Sequence, residues 1–288
     1  MTNPAAVAAS PSAPPSAHAQ AANEPPQTLE GWSILHELWR LDWTLWRHLE
    51  PRDREGIAGE AVTWLTEAAA AKGSAAAYAM LGQKSDLMFI FYRPDLAELL
   101  ATQHSFRRTR LHEYLRPAYA FVSMLEVSLY EATAQANGRL MQQGLRPGTP
   151  DWDAAFAVEY AKHRAALDAR LTRGIPDHEH VCFYPMSKRR GEQYNWYAAT
   201  VDERRALMRG HGRIGHKYHE QVVQVIGGAI GLDDWEWSVD LHGADPLVFK
   251  KLVTEMRFDP ASSRYAEFGA FHLGQRLRPE ALERLLLA

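Results

Sequence analysis

Three groups of residues in this chain have types and spacings that could do chemistry. In Tyr184-Pro185-Met186-Ser187-Lys188-Arg189-Arg190, strand alternation puts Tyr184, Met186 and Lys188 on one face, so a phenol and an ammonium share a wall. The same run also reads as a strand end, with Tyr184 and Met186 in the core and the basic residues in solvent; Pro185 suits an edge strand. A second group, His211-Gly212-Arg213-Ile214-Gly215-His216-Lys217-Tyr218-His219, carries three imidazoles, and a neutral imidazole is a good ligand for iron or zinc. His216 and His219 equally suit a solvated helix C-terminus, where positive charge is favourable. Zinc would need a third ligand; no second cluster accompanies the three, and His-Glu-x-x-His is absent. Third, Gln224 interrupts Val222, Val223, Val225 and Ile226. An amide buried without partners costs about 1–3 kcal/mol, so Gln224 needs a hydrogen-bonding role, structural or ligand-facing. Arg257 falls at an expected helix end, where a guanidinium can bind a carboxylate bidentately or cap the helix.

The elements that must position these residues repeat. Trp32 to Leu45 reads as extended, and Pro51 starts a helix to about Ala71. Strands from Ala75 to Leu81 and Asp86 to Tyr92 flank the turn Gly82-Gln83-Lys84-Ser85. Arg93-Pro94-Asp95 opens a helix through Thr102, and Ala118 to Tyr130 is a strand. Asp151 to Arg173 is a linking helix, since Trp152, Phe156, Tyr160 and Leu167 keep helical spacing. The order β-α-β-β-α-β then recurs: a strand from His180 to Lys188, a helix capped by Thr200 with Glu203 at the capping-box position and running to Tyr218, strands Val222 to Ile226 and Trp235 to Leu241, a helix from Asp245-Pro246 through Glu255, and a strand from Tyr265 to Leu273. The fold class expected is α+β, two tandem ferredoxin-like halves. Their open sheet faces stack or curl into a barrel, leaving a cavity beneath the helices of one half. The expected organisation is a disordered Ala/Pro-rich tail over 1–28, an N-terminal half over 29–131, a helical connector over 132–179 and a C-terminal half over 180–288.

Composition excludes several classes. At 288 residues, 46% hydrophobic and 23% charged, the chain has ample core and is neither disordered nor a coiled coil. Lys+Arg 32 against Asp+Glu 35 gives a net charge of -3, so no global basic surplus draws nucleic acid or anionic lipid. Cys182 is the sole cysteine, which excludes an internal disulfide, a Cys-rich metal site and paired thiols for covalent haem attachment. No apolar run is long enough to span a membrane, and the first basic residue is Arg40, so a secretory signal's positive start is missing. A cytoplasmic location is expected.

Several motifs occur together in one order: Tyr184-Pro-Met-Ser-Lys-Arg-Arg, Asn195-Trp196-Tyr197, Leu207-Met208 before His211-Gly212, Gly231-Leu-Asp-Asp-Trp-Glu-Trp237, Phe249-Lys-Lys-Leu252 and Glu255-Met-Arg-Phe-Asp259. This set resembles the coproheme decarboxylases of the chlorite dismutase superfamily. The resemblance is dense from about Val181 to Gly274 and weaker, though compatible in element order, from Trp32 to Arg173. It implies two ferredoxin-like halves per subunit, a homopentamer, and an iron porphyrin in the C-terminal half. By the same resemblance His211 matches the proximal iron ligand, Tyr184 the tyrosine that becomes a radical, and Lys188 the lysine near the second reacting propionate. Met186 matches a porphyrin-contact residue, while Arg170, Arg257 and Ser262 match positions that hold propionates.

The implied reaction is peroxide-dependent decarboxylation of two propionates of Fe-coproporphyrin III (coproheme), which is both substrate and cofactor, to give haem b. The implied partners are coproheme and hydrogen peroxide, with room for a transient contact with the preceding chelatase. Chlorite-degrading members carry an arginine thirteen residues after the proximal histidine, where this chain has Gln224, a neutral amide that cannot supply that charge. Chlorite decomposition or general peroxidase chemistry in the same pocket, and a haem-carrying or sensing protein without turnover, are the competing readings.

Overall fold

The computed structural model describes residues 28–288. The tail expectation falls on 1–27, outside the described residues, and Thr28 opens the first strand. In chain order the N-terminal part comprises β1 (Thr28–Leu41), α1 (Trp43–Arg47), α2 (Pro51–Ala70), β2 (Ser74–Met80), β3 (Leu87–Arg93), α3 (Leu96–Arg107) and β4 (Leu115–Ser128). Two helices follow, α4 (Tyr130–Gln142) and α5 (Pro150–Leu171). The C-terminal part comprises β5 (His180–Lys188), α6 (Val201–Lys217), β6 (Val223–Gly228), β7 (Trp237–Gly243), α7 (Pro246–Arg257), α8 (Pro260–Ser263), β8 (Ala266–Phe268), β9 (His272–Leu277) and α9 (Pro279–Leu287).

The strands pair antiparallel in the order β4-β1-β3-β2 and, in the second set, β6-β7-β5-β9, the same ferredoxin-like order twice. β2 pairs with β9 and β4 with β6, so eight strands close into a barrel with β8 as an extra strand on β5. The β4–β6 seam is short, Met124 opposite Gly228 and Leu125 opposite Gly227. A Cβ at Gly227 would collide with the hydroxyls of both Ser123 and Ser238, so this seam requires glycine.

Several expected boundaries move. The extended stretch Trp32 to Leu45 ends at Leu41, where Asp42 accepts the Leu45 N–H and caps α1. Tyr265 to Leu273 is two strands, β8 and β9, interrupted where Gly269 N–H bonds to the Pro185 carbonyl. Pro185 therefore sits in an internal strand, tolerated at the point where the neighbour of β5 changes from β9 to β8. Thr200 and Glu203 do form the reciprocal capping box that starts α6.

Alternation along each strand sorts side chains to two surfaces. The barrel interior holds Ile34, Leu38, Met88, Ile90, Phe121, Phe183 and Val225. Outside it, the N-terminal helices lie directly on the sheet, where Trp64, Phe89, Phe91 and Phe106 interlock, Trp64 and Phe106 with centroids 4.6 Å apart. In the C-terminal half Cys182, Tyr184, Val239 and Leu241 meet Phe249, Leu252 and Met256 of α7. α6 contributes little to this packing; Arg204 is its one buried residue, and its interior carries Gly210, Gly212 and Gly215. Each glycine costs about 1 kcal/mol of helix propensity relative to alanine, so this helix is built for clearance rather than for filling space. No helix among the described residues is long and apolar enough to cross a membrane.

A buried imidazole–carboxylate contact crosses the barrel between the halves. His36 Nε2 of β1 meets both Asp240 carboxylate oxygens of β7, at 2.9 and 3.0 Å, with the pair fully buried and the imidazole stacked on Phe183. Removing one partner leaves the other uncompensated in a low-dielectric interior. Asp240→Leu is therefore expected to cost about 3–5 kcal/mol, and His36→Phe with Asp240→Leu much less than the sum of the singles, as urea unfolding of the three variants would measure. Additive losses would show that the two residues do not act as a pair.

Candidate functional site

The clearance under α6 is a cavity of about 1100 Å³, larger than most small-molecule pockets. Its floor is the outer face of the barrel. Ladder register sets the floor in rows: Gln224, whose row continues into Leu241 and Cys182 packed with residues of α7; then Ile226, Val239 and Tyr184; then Gly228, Trp237 and Met186. β4 and β1 extend it with Met124, Glu126 and Glu30. Its roof is one face of α6, where Arg204, Met208, His211, Gly212 and Gly215 keep helical spacing, with His219 following in the turn beyond the helix. A Cβ at Gly212 would meet nothing within 4 Å, so the roof beside His211 is flat and open.

His211 is held from behind. Its Nδ1 lies 2.9 Å from Asp259 Oδ2 and 3.5 Å from Ser262 Oγ, which leaves Nε2 for a ligand. Burial pushes the imidazole below its ordinary range, against the pull of Asp259, which favours the neutral ring with Nε2 as a lone-pair donor. Among the described residues no group of three or more His, Cys, Asp or Glu could hold a metal ion. The zinc alternative therefore lacks its third ligand.

Tyr184 is buried on the floor, stacked on Phe271 with centroids 4.4 Å apart. Burial, helped by Cys182 and opposed by Arg257, pushes its phenol well above the ordinary range, so it carries its proton. Lys188 is buried at the edge of the cavity, its Nζ 3.3 Å from the Ala261 carbonyl and 4.3 Å above the Trp196 ring. Burial brings its ammonium down to about 8, with Asp259 and Glu236 resisting.

The structure thus brings His211, Tyr184, Met186, Lys188, Gln224, Ser262 and Arg170 to one cavity. Arg170 is exposed at the rim on α5, whose last turn lies over β1 so closely that a Cβ at Gly31 would collide with the Leu171 carbonyl. Arg257 does not reach the wall. It is exposed and stacks 4.0 Å over Phe268, one layer outside, because the ring of Phe268 occupies the position between it and the cavity.

Sequence reasoning missed Asp259, Arg204, Trp196 and the facing pair Glu30 and Glu126. Asp259-Pro260 has the form of a helix N-cap, yet its side chain makes no capping bond and is used on His211. Arg204 was readable, seven residues before His211 on the same helical face. Glu126 lies against Gly228 and accepts the Trp237 indole N–H at 3.1 Å. Its burial raises its pKa, Trp237 works against the rise and Glu30 adds to it, a combination that follows only from strand register.

Comparison with known proteins gives consistent likenesses. The chlorite dismutase family model matches residues 54–277. A putative heme-binding protein of Natronomonas pharaonis is 39% identical over 269 residues, 92% of this chain; the chain spans 42% of that relative's length. A solved structure described as a novel heme-binding protein from Thermus thermophilus is 41% identical, with TM-score 0.77 over 92% of this chain and 98% of that one. A chlorite dismutase variant from Candidatus Nitrospira defluvii, 19% identical with TM-score 0.67 over 90% of this chain and 96% of that one, shares the fold.

The buried ammonium of Lys188 generates a stability prediction. A lysine whose pKa is lowered on folding burdens the folded state below about pH 8, and the burden fades as pH rises towards the unfolded value. Lys188→Met is expected to stabilise the unliganded chain by about 1–3 kcal/mol at pH 7, with the gap from wild type shrinking by pH 10. Urea unfolding at the two pH values checks it; destabilisation at pH 7 would mean the Trp196 and Ala261 contacts outweigh the burial of charge.

Proposed function

This chain belongs to the chlorite dismutase family, and within that family we propose that it binds Fe-coproporphyrin III through His211 and oxidatively removes carbon dioxide from two of its propionates, yielding haem b. The observation that carries the reading is a single cavity in which a neutral imidazole backed by Asp259, a protonated phenol and a buried ammonium converge. The donors suit an iron porphyrin: one neutral imidazole with Nε2 available, flat glycine surface beside it, an apolar floor, and cations from several elements. Four carboxylates, two more than haem b carries, need such cations; each charge-assisted hydrogen bond contributes about 1.5–3 kcal/mol before desolvation is counted. The heme-binding descriptions of the two relatives near 40% identity support the same ligand class.

When bound, the iron porphyrin with hydrogen peroxide supplies the one-electron oxidising power. The protein's part is local. Tyr184 gives up an electron and, being protonated, a proton, and the resulting phenoxyl takes a hydrogen atom from the propionate carbon next to the ring. Loss of a second electron and carbon dioxide leaves a vinyl group. For each propionate the balance is one carboxylate, one peroxide and one proton in; one vinyl, one carbon dioxide and two waters out. Lys188, with an ammonium pKa near neutrality, can hold the carboxylate and return a proton. His211 and Asp259 fix the iron's position, and Gln224 supplies a neutral amide at the far end of the floor. That neutrality favours this reaction over chlorite decomposition.

Mixing the protein with Fe-coproporphyrin III and dilute peroxide, then resolving porphyrins by mass, is expected to show loss of two carboxyl groups. Oxygen release from chlorite, or an unaltered porphyrin, would reject the reaction. Tyr184→Phe is expected to bind the porphyrin normally and to lose turnover by about 100-fold or more, since the ring stays and the oxidisable hydroxyl goes. His211→Ala is expected to abolish the iron–imidazole absorption. Gly212→Leu, whose Cβ would meet nothing within 4 Å, is expected to keep its unfolding midpoint and to bind porphyrin poorly; normal binding by either variant would displace the ring from this cavity.

A further inference from the structure

We propose that His216 and His219 hold the two porphyrin carboxylates that survive the reaction, an assignment that rests on the function proposed above. In coproporphyrin III the two propionates that become vinyl groups are on neighbouring pyrroles, and the two that remain in haem b are on the opposite pair. A cavity for this ring needs cationic contacts at two opposed edges.

The direction of α6 supplies them. Trp196, just before the helix, lies under the Lys188 ammonium, so the start of α6 stands over the Lys188 edge of the floor. At its other end a Cβ on Gly215 would lie 3.9 Å from Gln224 Oε1, and Val222 N–H bonds to the Tyr218 carbonyl at 2.9 Å, so the helix turns directly into β6. His211 lies between these ends. His216, in the last turn of α6, follows it by five residues, about 7.5 Å along the axis at 1.5 Å per residue, and His219 lies just beyond, in the turn that leads into β6. That placement suits the reach from the centre of a porphyrin to its carboxylates.

Both imidazoles line the cavity and are exposed at its mouth, stacked with centroids 4.5 Å apart. His219 Nδ1 donates to the His216 carbonyl at 2.7 Å, so Nε2 is the ring nitrogen left for a carboxylate, which would bring or hold the second proton there. The charges facing them from other elements leave this role open. Glu255 of α7 is taken by Lys217 and Tyr218. Glu126 of β4 is turned to Trp237 and Gly228, at the opposite end of the floor from Gln224. The Thr28 hydroxyl donates to Glu30 of β1. Arg170 of α5 adds a positive charge on the same cavity wall.

The consequence separates this end of the cavity from the Lys188 end. Contacts to the surviving carboxylates act on substrate and product alike, whereas Lys188 contacts a group that haem b lacks. Spectral titration of the whole chain with Fe-coproporphyrin III and with haem b is expected to show both bound about tenfold more weakly by the His216→Gln/His219→Gln variant, with the iron–imidazole absorption unaltered. Lys188→Met is expected to weaken Fe-coproporphyrin III alone, and His219→Lys, which supplies a permanent ammonium donor, to retain haem b. Loss confined to Fe-coproporphyrin III in the double variant, or no loss for either ligand, overturns the assignment. An unaltered unfolding midpoint excludes a folding effect. Failure of the wild-type chain to bind either porphyrin would instead remove the proposed function, and this inference with it.

Discussion

The hydrogen bond between His211 Nδ1 and Asp259 decides what the cavity can hold. A histidine alone on a glycine-rich helix has two ring nitrogens either of which can carry the proton, and a free torsion; bonded to a carboxylate it has one tautomer and one direction. Asp259 belongs to the short segment that forms α8, and that segment does more than orient one ring. The next residues give the Ala261 carbonyl to Lys188 and the Ser262 hydroxyl to the same cavity wall. The imidazole and the ammonium are thereby indexed to one rigid turn of backbone, and each alters the other: Lys188 helps depress the His211 pKa, and Asp259 resists the depression of Lys188. Burial lowers both groups, and Asp259 restrains both shifts from the same turn.

The two halves show how a duplicated layout comes to hold one site. Both present the outer face of a sheet to helices in the same order. In the N-terminal half α2 carries Ile57, Ala61, Trp64 and Leu65 into that space, and Trp64 alone contacts Phe89, Phe91 and Phe106. In the C-terminal half the corresponding helix offers glycines and an imidazole. The difference lies in side-chain volume rather than topology: the first half spends its helix on stability, and the second leaves apolar floor uncovered, which costs hydrophobic stabilisation unless a flat apolar ligand restores it. Ligand binding and completion of the C-terminal core are then the same event.

The sequence was most legible where one residue type dictates local geometry. Thr200 with Glu203, Pro51, Asp95 and Asp245 started helices as their chemistry requires, and the alternation around Tyr184 put phenol, thioether and ammonium on one wall. It was least legible where a residue serves a distant partner. Asp259 has the spacing of a cap and acts on a ring 48 positions earlier. Arg257 has the chemistry of a carboxylate clamp, yet an aromatic ring from β8 stands between it and the cavity. Glu126 is an ordinary alternate residue of β4 until barrel closure sets it beside Gly228. The final strand broke in two because its centre crosses Pro185, which lacks the N–H needed to continue the ladder.

Barrel closure is what makes these distant relations reproducible. β7 has two working faces: Trp237 and Val239 form the floor of the cavity, and Ser238 and Asp240, alternating with them in the sequence, point into the barrel. Asp240 is fixed by His36 from the other half, and Ser238 meets the Ser123 hydroxyl at 2.9 Å. Near this contact burial pushes two further imidazoles, His242 and His272, down to about 4. A one-residue slip of β7 would turn Asp240 into the apolar cavity and Val239 against His36, exchanging a satisfied carboxylate for an unsatisfied one. The polar interior therefore specifies the register of the strand, and the register places Val239 between Tyr184 and Ile226. The N-terminal half, which contributes only edge residues to the cavity wall, governs the site through that register.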